Sequence, residues 1–249
     1  MFSYQLYSSR NNGPLSKTLH MLAEVGIRDT EGFGGLYHDA ASLAETSGGL
    51  KANGLAMSTG HFGLDQIEGN PDFVVEVART VGMKKVICPH VMPQDCPTDA
   101  AGWRAFGARL QKAGAPIRAA GFGFGWHNHH FEFGGMPDST VPMLELLKGG
   151  PDLEWEIDVA WVLRGASDPL AWIKAFGNRI TAAHVKDIAP RGENLDEDGW
   201  ADLGQGVVDW KAIYPALKAA GVRHFVLEHD NPADDRRFAT RSLAAALAL

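Results

Sequence analysis

Apolar residues recur along the chain at helical spacing. Leu15, Leu19 and Leu22 fall at positions i, i+4 and i+7, which places their side chains on one face of a helix. A second apolar stripe runs through residues 73–81, and Asn70 just before it is a residue type that commonly caps a helix. The pattern therefore predicts amphipathic helices whose apolar faces pack on a protein core.

Short apolar runs separate the helical segments. A glycine precedes several of them, at Gly26, Gly82, Gly121 and Gly221. Glycine after a helix supplies the left-handed conformation that closes it, and the apolar run that comes next is typical of a buried parallel strand. Eight runs of this kind occur: SYQLYS, GIRDTEGF, GLAMSTGH, KKVICPH, FGFGWHNH, LEWEID, RITAAHVKD and RHFVLEHD.

The alternation of eight strands with helices predicts the fold class. It is an α/β protein, a single (β/α)8 TIM barrel over residues 1–249, with a doubly wound open sheet as the main alternative. The barrel is favoured because polar side chains end the strands, and in a barrel those ends meet on the face that holds the active site. These polar residues are Gln5, Ser8, Glu31, His61, His90, His127, His129, Asp158, His184, Lys186 and Glu228.

Composition narrows the function further. Of the 249 residues, 45% are hydrophobic, which is enough for one large core. The net charge of −7 argues against nucleic acid as a partner, because phosphate binding needs clustered lysine and arginine. No apolar run approaches the roughly 20 residues that span a bilayer, and the first residues do not resemble a signal peptide. We therefore expect a cytoplasmic protein that binds no membrane, with Cys88 and Cys96 outside any disulfide framework.

Three of the strand ends carry groups that bind metals. Asp158 ends the sixth strand, His184 the seventh and Glu228 the eighth. Two carboxylates and an imidazole at one mouth suit a divalent ion such as Mn, Mg, Co or Zn. The fifth strand should supply the fourth ligand, and there His127 and His129 share one face because side chains alternate along a strand. The competing interpretation is a set of separate buried groups, each satisfied by hydrogen bonds.

Two further carboxylates are expected to lie outside the predicted set of metal ligands. Glu156 faces the same way as Asp158 but lies deeper in its strand, so we expect it in the barrel interior or at the bottom face. Glu31 is expected to close the far side of the pocket.

The order of several motifs resembles a known superfamily. The series YQLYS, HNHHFEF, IDVAWVLRGASDP, HVKD and VLEHD is similar to the sugar phosphate isomerase/epimerase superfamily, the xylose isomerase-like TIM barrels, over nearly the whole chain. The resemblance implies a divalent metal at the barrel mouth that binds neighbouring oxygens of a sugar or keto-sugar. It also implies that Asp158 and His184 are ligands, and that Glu228 is both a ligand and the general base.

His127 marks a departure from that pattern. Such isomerases usually carry a glutamate on the fifth strand, whereas this chain has WHNHH, so we expect His127 to be the fourth ligand. Either Glu132 takes over one proton transfer, or the reaction needs only one carboxylate base. The main hypothesis is a metal-dependent isomerase or epimerase that acts on a sugar, keto-sugar or sugar phosphate through an enediolate. The alternative is a lyase or dehydratase that acts on a keto-sugar or 3-keto-glycoside.

Other polar and aromatic residues are expected to contact the substrate. His61 and His90 end the third and fourth strands, which favours substrate binding over metal ligation. Lys186 faces the pocket by strand alternation and is expected to hold a substrate oxygen or phosphate, in binding or in catalysis; a surface lysine is the alternative. His129 is expected to reach the substrate, and the Trp161 ring to cover the sugar, although simple packing would also account for that ring.

Two other classes of function have less support. A DNA-repair endonuclease with a three-zinc cluster would need more Glu, Asp and His positions and a less acidic chain. A sugar-binding barrel without catalysis stays open, because a fold alone does not establish chemistry. The sequence leaves the identity of the sugar and homo-oligomerisation undecided.

Overall fold

A computed structural model describes residues 2–136 and 139–249, and in them eight parallel strands close into a barrel. With all strands numbered in chain order, the barrel strands are β1 (Phe2–Gln5), β2 (Asp29–Gly32), β3 (Ala56–His61), β4 (Lys85–Cys88), β5 (Gly123–His127), β6 (Glu154–Asp158), β7 (Ile180–Val185) and β10 (His224–Leu227). Neighbouring strands pair in parallel, and β10 pairs with β1 to close the barrel. The predicted TIM barrel is confirmed, and the open-sheet alternative is excluded.

Helices connect the strands on the outside of the barrel. They are α1 (Leu15–Val25), α2 (Ala40–Asn53), α3 (Leu64–Gly69), α4 (Pro71–Val81), α5 (Ala100–Ala113), α6 (Ala115–Ala119), α7 (Pro142–Gly149), α8 (Val159–Arg164), α9 (Pro169–Phe176), α10 (Trp210–Ala219) and α11 (Asp235–Ala246). The apolar stripes face inward as predicted, since Leu19 and Leu22 of α1 and Val74 and Val77 of α4 are fully buried.

The predicted helix ends are present. Asn70 caps α4 and accepts a hydrogen bond from the backbone N–H of Phe73 (3.2 Å). The junction glycines all have φ between +81° and +100°: Gly26, Gly82, Gly121 and Gly221. This left-handed conformation is unfavourable for residues with a Cβ. Because these ends fix where each strand begins, they also fix which side chains reach the mouth of the barrel.

A long connection after β7 lies at the same mouth. It contains a small antiparallel sheet of β8 (Asp187–Ile188) and β9 (Trp200–Ala201). The Asp187 carboxylate accepts hydrogen bonds from four backbone N–H groups of this connection, the shortest from Ile188 and Gly204 (both 2.9 Å). These bonds hold the connection against the barrel, where the buried Trp200 ring packs edge-on against Trp161 (4.7 Å between ring centroids).

The sequence led us to expect no membrane-spanning segment and no disulfide framework. Within residues 2–136 and 139–249, no helix combines the length and the apolar character that crossing a membrane requires. Cys88 and Cys96 are free, and burial raises the pKa of the Cys88 thiol to about 12.

Candidate active site

A cavity of about 460 Å³ opens where the barrel strands end. Every barrel strand, or the segment directly after it, contributes to its wall. The lining residues are Gln5, Tyr7, Phe33, Gly34, His61, Gly63, Pro89, His90, His127, His129, Trp161, His184, Glu228 and Asp230. Most of the site residues predicted from the sequence are therefore brought together around one cavity.

Three predicted metal ligands converge at one wall of the cavity. His184 Nδ1 lies 3.8 Å from Asp158 Oδ2 and 3.9 Å from Glu228 Oε2. Within the part of the chain that the structure describes, neither Asp158 Oδ2 nor His184 Nδ1 has a hydrogen-bond partner, although both are buried. Buried polar atoms without partners are rare, and a tetrahedral ion separates its ligand atoms by roughly 3.4 Å. The residues present fit a divalent ion, and we call this group the metal triad.

Glu31 fixes the orientation of the His184 ring in the metal triad. His184 Nε2 lies 2.7 Å from Glu31 Oε1, and because a carboxylate only accepts, Nε2 carries the proton. Gln5 Nε2 donates to the same oxygen (2.8 Å), and Thr59 Oγ1 donates to Glu31 Oε2 (2.5 Å). With Nε2 held in this way, Nδ1 is turned toward Asp158. A carboxylate that orients a metal-binding histidine is a common second layer around metal sites.

The Glu31 contact leads to a testable prediction. We expect Glu31→Ala to weaken divalent-metal binding by about 10- to 100-fold, because the His184 ring loses the acceptor that sets its orientation. Competition with a chromophoric chelator measures this affinity. Thr59→Val is the matched control, since it removes a partner of the other Glu31 oxygen and leaves the bond to His184 in place. Equal effects of the two substitutions would contradict the proposed orientation.

A second group of buried side chains lies one layer deeper in the barrel. Glu156 Oε2 is 2.7 Å from His61 Nε2, 3.1 Å from His127 Nδ1 and 3.3 Å from His184 Nε2. These four residues offer ligand atoms within 4.8 Å of one another, as the metal triad also does. The expected interior position of Glu156 is thus observed, and its carboxylate connects the strands on both sides of the barrel.

His127 belongs to this deeper group and lies outside the metal triad. The register of β5 against β6 pairs His127 with Glu156, whereas the register of β6 against β7 pairs Asp158 with His184. His127 is therefore level with Glu156, one layer below Asp158. Its predicted role as a metal ligand stays a prediction, because the deeper group also offers ligand atoms within 4.8 Å of one another.

The charges of the side chains in and around the deeper group compensate one another. Burial alone would lower the pKa of His61, but the Glu31 and Glu156 carboxylates raise it to about 9. Burial likewise opposes ionisation of Glu156, yet His184 and His61 hold its pKa well below the usual range. At neutral pH the imidazolium of His61 compensates the buried negative charge, which allows both carboxylates to stay ionised away from water.

Metal binding is expected to release protons near neutral pH. Burial, together with the Asp230 charge, raises the pKa of Glu228 to about 7. Burial would lower the pKa of His184, but Glu156 and Glu31 raise it well above its usual value. Both side chains must lose a proton to bind a metal. The affinity for the metal should therefore rise about 10- to 100-fold per pH unit below pH 7, and about tenfold per pH unit above pH 7. Chelator competition from pH 6 to 8 checks this, and a pH-independent affinity would contradict it.

Lys186 is held by carboxylates below the cavity. Its Nζ lies 2.8 Å from Glu228 Oε2 and forms a second ion pair with Asp230. The ammonium group also lies over the Trp200 ring, 3.9 Å from the centroid. Lys186 was expected to hold a substrate oxygen or phosphate, but its side chain is buried and absent from the cavity lining. The physical reason is that a buried ammonium group is stable only when carboxylates neutralise it.

Glu132, expected as a second proton-transfer group, lies behind the cavity wall. Its side chain is fully buried, and the residue does not line the cavity. The chain turns back after β5, so Glu132 Oε1 accepts from Trp126 Nε1 (3.1 Å) and Oε2 accepts from the backbone N–H of His129 (3.0 Å). Burial raises the pKa of this carboxyl group to about 8. Its observed contacts shape the turn that carries His129.

The contacts of Glu132 predict a loss of stability when they are removed. Glu132→Ala leaves two buried N–H donors without acceptors, so we expect the free energy of unfolding in urea to fall by about 3 kcal/mol. Metal content should be unchanged. Glu68→Ala removes an exposed carboxylate paired with Arg109, and should cost no more than about 1 kcal/mol. A Glu132→Ala protein that is inactive at wild-type stability would instead support the proton-transfer role.

The remaining predicted substrate contacts lie in the cavity wall. Burial lowers the pKa of His129 well below its usual range, and His127 lowers it further. Burial also lowers the pKa of His90. Both rings are therefore neutral at pH 7, which suits hydrogen bonds to sugar hydroxyl groups. The Trp161 ring lies beside His129, with 5.4 Å between the ring centroids.

Sequence comparison identifies the family. The sequence profile of the xylose isomerase-like TIM barrel family matches residues 72–248. The chain belongs to this family. The resemblance seen in the motif order is thereby confirmed. A search of curated protein sequences gave no match.

Solved structures of this barrel type superpose on nearly the whole chain. A sugar phosphate isomerase/epimerase from Parabacteroides distasonis ATCC 8503 has a TM-score of 0.81 at 19% identity, covering 98% of this chain and 93% of that chain. The IOLI protein with a binding zinc atom has a TM-score of 0.76 at 16% identity, with coverage of 99% and 96%. The 3-keto-D-glucoside 4-epimerase YcjR from E. coli has a TM-score of 0.72 at 17% identity, with coverage of 100% and 99%. At these identities the similarity shows the fold.

Two residues of the xylose isomerase-like site were not singled out from the sequence. Asp230 lines the cavity and pairs with Lys186, which lowers its pKa to about 2 although burial opposes this. It lies two residues after Glu228, so strand alternation could have indicated its facing. Tyr7 lines the cavity in the turn after β1, the strand beside β10, and no periodic signal marks it.

Proposed function

We propose that the protein is a divalent-metal-dependent sugar isomerase or epimerase that acts through an enediolate. The observation that carries this proposal is the metal triad, in which atoms of Asp158, His184 and Glu228 converge at the wall of a cavity. The IOLI protein, a solved structure of this fold, has a bound zinc atom, which supports metal binding by this chain. Two carboxylates and one imidazole suit Mn, Mg, Co or Zn.

Glu228 is proposed to move the proton. A divalent ion on the metal triad would polarise a substrate carbonyl and make the hydrogen on the neighbouring carbon more acidic. Glu228, whose carboxylate lines the cavity, takes that proton as the general base. Lys186, 2.8 Å from Glu228 Oε2, orients this carboxylate and balances its charge.

The surrounding residues are proposed to bind the sugar. His90 and His129 present neutral rings that exchange hydrogen bonds with hydroxyl groups, and Trp161 covers an apolar face of the sugar. His127 acts one layer below, through Glu156, and supports the His184 ring. Three protein ligands leave coordination positions for substrate, which is typical of catalytic metal sites.

A lyase or dehydratase acting on a keto-sugar is the second candidate. One observation favours it: Glu132, the carboxylate expected to serve as a second base, is hydrogen-bonded behind the cavity wall. Elimination next to a carbonyl needs one base to remove the proton, and Glu228 is such a base. Both candidates share this proton abstraction and differ in the fate of the enediolate.

Proton exchange in D2O tests the proposal. The metal-loaded protein is incubated with ketoses, inososes and 3-keto-glycosides, and NMR monitors loss of the proton next to the carbonyl together with product formation. An isomerase or epimerase gives a deuterated sugar with a moved carbonyl or an inverted carbon. A lyase gives an unsaturated product and a released hydroxyl compound. Absence of exchange with every compound would support sugar binding without catalysis.

A further inference from the structure

Aromatic side chains form the cavity wall on the side of β1 and β2. Tyr7 comes after β1 and Phe33 after β2, and both line the cavity. The two rings meet edge to face, with 5.3 Å between their centroids. In the strand order of the barrel, β2 lies opposite β6, which carries Asp158. The cavity therefore extends from the metal triad to an aromatic wall that begins beside β10, at Tyr7, and reaches the strand opposite β6, at Phe33.

The Tyr7 ring is fixed in place, although 39% of the residue is exposed. Arg10 covers one face, with its guanidinium carbon 3.9 Å from the ring centroid. The guanidinium group donates hydrogen bonds to the carbonyl oxygens of Tyr7 (3.0 Å) and Asp230 (2.5 Å). The backbone N–H of Tyr7 donates a hydrogen bond to Gln5 Oε1 (3.0 Å). An aromatic ring that is held rigid and left partly open is suited to contact with a flat, apolar ligand surface.

The size of the cavity exceeds what one sugar ring needs. Its volume of about 460 Å³ falls in the range of roughly 300–1,000 Å³ that encloses drug-sized ligands. With the sugar ring at the metal triad, space is left toward Tyr7 and Phe33. Among the described residues, none of those that line the cavity on the side of β1 and β2 is charged.

The charges around the cavity disfavour a phosphate group. None of the lining residues that the structure describes is a lysine or an arginine, whereas Glu228 and Asp230 are both in the lining. The cations close by already have partners: the His61 imidazolium pairs with Glu31 and Glu156, Lys186 pairs with Glu228 and Asp230, and Arg10 donates to two backbone carbonyl oxygens. Arg164 stacks on the Trp200 ring (3.1 Å to the centroid). A dianionic phosphate would thus compete with these existing partners and meet the two carboxylates of the lining.

We propose that the substrate is an uncharged glycoside whose sugar ring lies at the metal triad and whose attached group packs against Tyr7 and Phe33. This rests on the proposed function, because the metal triad sets where the sugar lies. An attached group with a flat apolar face, an aromatic ring or the face of a second sugar, matches the aromatic wall. The two carboxylates of the lining and the lack of a lysine or arginine among the described lining residues favour such a glycoside over a sugar phosphate.

Binding of stable analogues tests the inference. Isothermal titration of the metal-loaded protein compares glucose, methyl β-glucoside, phenyl β-glucoside, cellobiose and glucose 6-phosphate. We expect the phenyl compound to bind about tenfold more tightly than the methyl compound. Glucose 6-phosphate should bind at least about tenfold more weakly than glucose. Cellobiose shows whether a second sugar gives the same gain as the aromatic ring.

Variants at Tyr7 locate the effect. Tyr7→Ala should reduce the preference for phenyl over methyl glucoside to less than about threefold, whereas Tyr7→Phe, which keeps the ring, should preserve it. Equal affinity of the methyl compound and both ring-bearing compounds, or tighter binding of glucose 6-phosphate than of glucose, would overturn the inference. A protein that binds no metal but keeps the Tyr7-dependent preference would retain the ring-binding wall and refute the proposed function.

Discussion

Asp158→Ala is expected to remove the metal from the protein. Wild-type protein should contain about one divalent ion per chain, and the variant less than about a tenth of that, because its carboxylate provides one of three ligand atoms that converge at the cavity wall. The same loss is expected for His184→Ala. Metal analysis of the purified proteins by mass spectrometry measures the content directly.

Two exposed residues provide matched controls for this experiment. Asp196→Ala removes an exposed carboxylate, and His38→Ala removes an exposed imidazole. Neither residue lines the cavity, so both variants should keep the wild-type metal content. If Asp158→Ala keeps full occupancy with the fold intact while His184→Ala loses the ion, the deeper group around Glu156 holds it, because that group contains His184 but not Asp158. Full occupancy in both variants would place the ion outside both groups.

Glu228→Gln is expected to abolish most of the activity while the protein stays folded. The amide keeps the shape of the side chain and removes its basicity, and loss of a general base costs about 10²- to 10⁴-fold in turnover. Metal affinity should be weakened, so the rate is measured at saturating metal. The readout is proton exchange next to the substrate carbonyl, which reports the step assigned to Glu228.

The control for Glu228→Gln is the same chemical change on the surface. Glu45 is exposed on α2, and Glu45→Gln should exchange protons at the wild-type rate. If metal-loaded Glu228→Gln also exchanges at nearly that rate, Glu228 is not the base. Asp230, which lines the cavity beside it, would then be the next carboxylate to test.

The fold and the metal triad could be predicted because they depend on local patterns. Helical spacing, glycine ends and apolar runs located the strands within a few residues. Polar side chains at strand ends then identified the face of the barrel that carries chemistry. The proximity of Asp158 and His184 could be predicted from the sequence alone, because each lies at or near the end of its own strand and those two strands are neighbours.

The depth of each side chain could not be predicted, because depth depends on the register between strands. Alternation shows that His127 faces the interior, but only its pairing with Glu156 shows that it lies one layer below Asp158. The register of β6 against β7 also shifts between Trp155 and Glu156, an irregularity without a sequence signal. The buried position of Glu132 could not be predicted for another reason. It depends on how the chain folds back after β5, so that Glu132 accepts a hydrogen bond from Trp126.

The bond between Glu31 and His184 crosses the interior of the barrel, from β2 to β7. TIM barrels usually diversify by changing the loops at the mouth while branched apolar side chains fill the interior. Here, by contrast, a side chain of the barrel wall holds the ring of a proposed metal ligand on another strand. If the proposed function is correct, substitutions in the interior of β1 to β3 should change the metal affinity of His184 without touching the ion. Efforts to redesign this protein would therefore gain as much from the interior of the first strands as from the surface loops.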